Sequence, residues 1–79
     1  MSKPERRIVE PNSDGGWDVT ARGADRASAH YDKQDEAINR ARTILGNLGG
    51  GELEIRGRDG AVRKQDTVPH GNDPRASKG

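Results

Sequence analysis

The chain has no cysteine, which removes disulfide frameworks and thiolate metal sites together and suits a reducing compartment. Phenylalanine is absent too, and there is one tryptophan and one tyrosine, so the aromatic area that dominates most cores is small. The only histidines are His30 and His70, too few for a histidine-based metal centre or proton relay, so no metal and no cofactor is expected. No apolar run reaches signal-peptide or membrane-spanning length, and the opening MSKPERR is charged. A cytoplasmic location without a membrane partner is therefore expected. Nor is there an excess of one charge: 14 basic against 13 acidic side chains leave a formal net charge of +1, which argues against a protein whose whole surface grips phosphates. Any such grip has to be local.

What is present is enough for one small domain. With 79 residues, of which 28% are hydrophobic, a single core is barely sufficient and no second one is possible. Self-association is one way to add buried area. The chain divides into a flexible polar lead over residues 1–6, one domain over 7–68, and a tail over 69–79, PHGNDPRASKG, which lacks apolar periodicity and is expected to be disordered.

The organising stretch is DKQDEAINRARTILGNL, Asp32 to Leu48. Ala37, Ile38, Ala41, Ile44, Leu45 and Leu48 recur at spacings of three and four, which at ~100° per residue is an apolar stripe that must be buried. Asp32, Asp35 and Glu36 stand where a cap and the helix dipole favour acids, and Glu36 to Arg40 has the spacing of an ion pair. Gly46 and Gly49 to Gly51 supply stop signals, with the end expected near Leu48.

Short strands surround this helix. RIVE, Arg7 to Glu10, leads into the turn residues Pro11 to Gly16, and Trp17, Val19 and Ala21 then alternate with polar partners as a half-buried strand. Ala27, Ala29 and Tyr31 alternate in a third strand, and Leu53 and Ile55 do so in a fourth. Arg58-Asp59-Gly60 turns the chain into a fifth strand, Ala61 to Lys64, with Val62 facing inward. The order β-β-β-α-β-β predicts an α+β fold, a single antiparallel sheet of four to five strands with the helix on one face. The other face would carry Asp18, Thr20, Arg22, Ser28, His30, Glu54, Arg56 and Arg63.

Val9-Glu10-Pro11, Gly16-Trp17, Arg26-Ala27-Ser28, Gln34 to Ile38 and Gly57-Arg58-Asp59-Gly60 together resemble DUF2188, a family of small bacterial proteins known only as a domain of unknown function. The resemblance runs from about Ile8 to Thr67 and supports the domain boundaries. Members of that family often carry histidine where this chain has Arg7 and Arg56. The resemblance implies no activity, so no catalytic residue is carried over.

Several clusters invite a chemical role and have simpler explanations. Asp32, Asp35 and Glu36 are accounted for by helix capping. Ser28 and His30 share a strand face but have no visible oxyanion hole or pocket. Gly49 to Gly51 follow a helix and precede a strand, the reverse of a phosphate loop. The remaining cluster is Arg56, Arg58, Arg63 and Lys64 around the last turn, which Arg22 and Arg26 would extend as a phosphate-contacting surface. Charges on an edge strand also guard against aggregation, which explains the same residues without a ligand. The expectation is a non-enzymatic interaction module acting through a protein partner or its own homodimer, with weak, sequence-independent nucleic-acid binding through the Arg56–Lys64 hairpin as the alternative.

Overall fold

Turn chemistry places the strands. In the computed structural model, which describes residues 5–69, the Asn12 carbonyl accepts from Gly15 N–H at 3.0 Å and the Asn12 side-chain oxygen accepts from Asp14 N–H at 2.7 Å. This closes a hairpin between β1 (Glu5–Pro11) and β2 (Trp17–Ala21). A second turn leads to β3 (Ala27–Tyr31), after which α1 (Gln34–Asn47) returns across the sheet to β4 (Gly51–Arg56). The last turn has Gly57 C=O accepting from Gly60 N–H at 2.9 Å, with Gly60 at φ 84°, and leads into β5 (Val62–Val68). Space around Gly60 is open, and glycine is favoured there because L side chains rarely adopt that φ.

One five-stranded sheet results, in the order β3-β2-β1-β4-β5. The α+β class and the element order agree with the sequence, but the sheet is not antiparallel throughout. β1 and β4 are parallel, with Arg7 opposite Leu53 and Val9 opposite Ile55. After a three-strand meander and a returning helix, β4 runs in the direction of β1. An antiparallel sheet would need β5 beside β1 instead. Burial decides against it: Leu53 and Ile55 are core residues while β5 carries Arg63, Lys64 and Asp66, so β4 takes the interior position and the charged strand the edge.

The core lies between the sheet and α1 and comprises Val9, Trp17, Val19, Ala37, Ala41, Leu45, Leu53, Ile55 and Val68. Ala37, Ala41 and Leu45 follow one another at four-residue spacing on the buried line of α1, and the two alanines let the helix approach closely. The close approach extends to Gly51, where an added Cβ would run into the Glu5 carbonyl oxygen and come within 2.9 Å of Leu45 Cδ2.

Local expectations need correction at several points. The helix starts at Gln34, where Asp32 or Lys33 was expected; its N-cap is Lys33, and no side chain caps it. No Glu36–Arg40 ion pair forms among the described residues; Arg42 instead reaches Asp66 in β5 at 2.8 Å. Leu48 terminates the helix with φ −89° and ψ 3° and is 49% exposed, because the chain has left the helical path that would have turned it inward. Val62 is 52% exposed, and Val68 is the core residue of β5. A register shift explains this: Lys64 faces Ile55 but Val62 faces Arg56, so Arg63 is an extra residue that reverses the alternation. A similar shift makes Ser28 the extra residue between Ala27 and Ala29.

Strand β1 begins at Glu5, inside the expected lead. Residues 1–4 of that lead, and residues 70–79 of the expected tail, lie outside the described residues. No helix among the described residues is long and apolar enough to cross a membrane.

Candidate functional site

The sheet face away from α1 is a grid of polar side chains that satisfy one another. Glu54, 9% exposed, accepts from Arg6 at 3.0 Å and from Arg56 at 2.7 Å. Glu10 accepts from the Thr20 hydroxyl at 2.9 Å, and Asp18 holds both Asn12 at 2.9 Å and His30 at 2.6 Å. Such a closed network presents little to a ligand. His30 therefore partners Asp18, no hydrogen bond joins it to Ser28 among the described residues, and Ser28 sits at the bulge. The glycines after α1 cap it, with Gly50 N–H donating to Leu45 C=O at 2.7 Å. Asp35 and Glu36 occupy the first turn of α1, where the helix dipole favours acids.

On the opposite face the arrangement is open. Between the first half of α1 and the β4–β5 turn lies a cleft of about 570 Å³. Its floor is Trp17, Ile38 and Ile55, and its rim carries Arg42, Arg58, Arg63 and Lys64. Among the described residues no carboxylate lines it. Each cation arrives from a different local cause. Arg42 follows Ile38 by one helical turn, and Arg58 stands in the turn with its guanidinium carbon 4.7 Å from the Trp17 ring centroid, a cation–π contact. Lys64 points to the helix side with the regular alternation of β5, while the bulge brings Arg63 to the same side.

The hairpin cluster expected from sequence is thus split. Arg58, Arg63 and Lys64 converge on the cleft, but Arg56 lies on the other face, engaged with Glu54. Arg22 and Arg26 flank the β2–β3 turn, at the opposite end of the strands and three strand spacings away. That is roughly 20 Å from the β4–β5 turn, so they do not extend the cluster. Arg42 and the aromatic floor were not expected there. The available signal was Gln34, Ile38 and Arg42 at successive four-residue spacing on α1.

Two carboxylates approach the cleft from outside its lining. Asp66 pairs with Arg42 at 2.8 Å and with Lys64 at 3.8 Å, and Asp59 pairs with Arg63 at 3.1 Å. Arg58 makes no ion pair among the described residues and has the Trp17 ring as its contact. Four rim cations against two paired carboxylates leave a local surplus of two positive charges. Among the described residues no group of three or more His, Cys, Asp or Glu side chains is placed to hold a metal ion.

Fold and cleft together define a small α+β domain with a mixed sheet and a basic, apolar-floored groove. Residues 7–68 match the family described as an uncharacterized protein conserved in bacteria, DUF2188, and the chain belongs to that family. No curated protein matches the chain. No solved structure matches it either.

Proposed function

We propose that the domain is a non-enzymatic interaction module of the bacterial cytoplasm that holds a protein partner by an anionic segment laid in the basic cleft. The observation that carries this is the lining itself: among the described residues, four cations and no carboxylate around an apolar floor. Cationic rims steer and orient acidic partners, and a desolvated apolar centre supplies the affinity. The cysteine-free composition suits the cytoplasm. Homodimerisation through a sheet edge is disfavoured, since β3 is five residues long with a bulge and β5 carries a bulge and the charges of Arg63, Lys64 and Asp66.

Weak nucleic-acid binding is the second reading, and the convergence of Arg58, Arg63 and Lys64 with Arg42 favours it. The two separate by salt and by ligand. Amide NMR spectra would be recorded with polyglutamate, duplex DNA and single-stranded RNA at low and moderate salt. Shifts at Ile38, Arg42 and Arg58 to Lys64 with polyglutamate, and weaker ones with either nucleic acid, are the expected result. Stronger shifts with nucleic acid that collapse as salt rises would replace the first reading with the second. Unmoved cleft resonances with every polyanion would remove the cleft as a contact surface.

A further inference from the structure

Within the proposed interaction role, on which this inference rests, the cleft also specifies the chemistry of the segment it takes. We infer that the occupant is an extended peptide with one aliphatic anchor and an acidic residue two positions to either side. Three observations lead there. The apolar part of the floor is the half-buried Ile38 flanked by the edges of Trp17 and Ile55, with Gln34 beside it, so the group that packs against Ile38 is apolar. A leucine-sized side chain is the natural anchor, because packing it there removes apolar area from water. The surplus of two positive charges then asks for two negative ones, and it is held by side chains around the floor rather than within it.

Strand geometry supplies the spacing. In an extended peptide, side chains i and i±2 point to the same side, roughly 7 Å apart, whereas i±1 point away. An anchor directed at the floor therefore brings acids at i±2 toward the rim. The rim is suited to exchange: Asp59 and Asp66 hold Arg63, Arg42 and Lys64 only through partly exposed pairs, which are weak enough to open for an incoming carboxylate. Arg58 meets the ligand while still seated on Trp17, so its position costs little to fix. A nucleic-acid strand fits less well. Base stacking needs the open face of Trp17, which Arg58 covers, whereas an aliphatic anchor needs only the half-buried Ile38 beside it, and a surplus of two charges offers little to a continuous line of phosphates.

Trp17 is the single tryptophan of the chain and forms part of the floor, so its fluorescence reports occupancy directly. The full chain would be titrated with a blocked peptide Asp-Gly-Leu-Gly-Asp and with three controls: glycine replacing leucine, asparagine replacing both aspartates, and the aspartates moved next to the leucine. Oligothymidylate forms a fifth arm, and amide NMR maps each complex. The expected result is a saturable Trp17 response to the first peptide, weakened on the order of tenfold or more in each control. Arg63→Gln/Lys64→Gln, at side chains that are 61% and 63% exposed, should weaken binding by a similar factor while leaving the amide spectrum of the free protein folded. Equal binding of the glycine or adjacent-acid control, or preference for oligothymidylate, overturns the inference and leaves an anion-binding cleft standing. Absence of any response in all five arms overturns the cleft as a contact surface as well.

Discussion

Arg7 shows most plainly how a single residue can sit uneasily in this fold. Its position opposite Ala21 and Leu53 puts it on the helix side of the sheet, where its side chain is 15% exposed. One terminal nitrogen donates to the Arg6 carbonyl at 3.0 Å and to Glu5 at 3.3 Å, but Nε is buried without a partner. A buried donor left unsatisfied costs ~1–3 kcal/mol. Arg7→Met keeps the aliphatic volume and removes that group, so it should leave stability unchanged or raise it by about 1 kcal/mol. Urea denaturation followed by circular dichroism checks this; a loss above about 1 kcal/mol would show that the guanidinium group stabilises the fold. Trp17 makes the complementary point. Its ring closes the core on one side and carries Arg58 on the other, so one aromatic residue serves both packing and the cleft.

At the scale of elements, the two hairpins differ in what surrounds them. β1 and β4 each pair on both sides and lie under α1, whereas β3 and β5 pair on one side only. Local opening follows buried contact and hydrogen bonding. Amide exchange should therefore be slowest in β1 and β4, around Val9 and Leu53, and fastest among the strands in β3, from Ala27 to Tyr31. Mass-resolved hydrogen exchange at neutral pH tests the order, and protection of β3 equal to that of β1 would contradict an exposed edge. The same comparison accounts for a successful reading of β4 and a poor one of β5. Leu53 and Ile55 alternate cleanly because both neighbours of β4 are regular over them. Val62 misleads because a bulge follows it, and an extra residue leaves no mark in a two-residue period.

For the whole molecule, the consequential choice is which strand stands beside β1. Cross-strand nuclear Overhauser effects should link β1 to β4 in parallel register, with Arg7 near Leu53 and Val9 near Ile55, and none should link β1 to β5. Contacts from Val9 to Gln65 or Lys64 would instead restore the all-antiparallel sheet. The cleft depends on the same choice. With β4 in the interior, the β4–β5 turn places Arg58 over Trp17, and side chains from four elements and one turn surround a common floor. An exchange of β4 and β5 would carry the charged strand inward and move Ile55 away from that floor.

Sequence alone determined the alternation of Trp17 and Val19, the line of Ala37, Ala41 and Leu45, and the Asp59-Gly60 turn, because hydrophobic period and turn chemistry act over a few neighbouring residues. It thereby determined the α+β class and the order of elements. The parallel β1–β4 pair, the bulges at Ser28 and Arg63, and the separation of Arg56 from Arg58 were decided only by the tertiary structure. Each of them depends on which strands become neighbours and in what register, and that is settled when the apolar faces of distant segments compete for the same buried space.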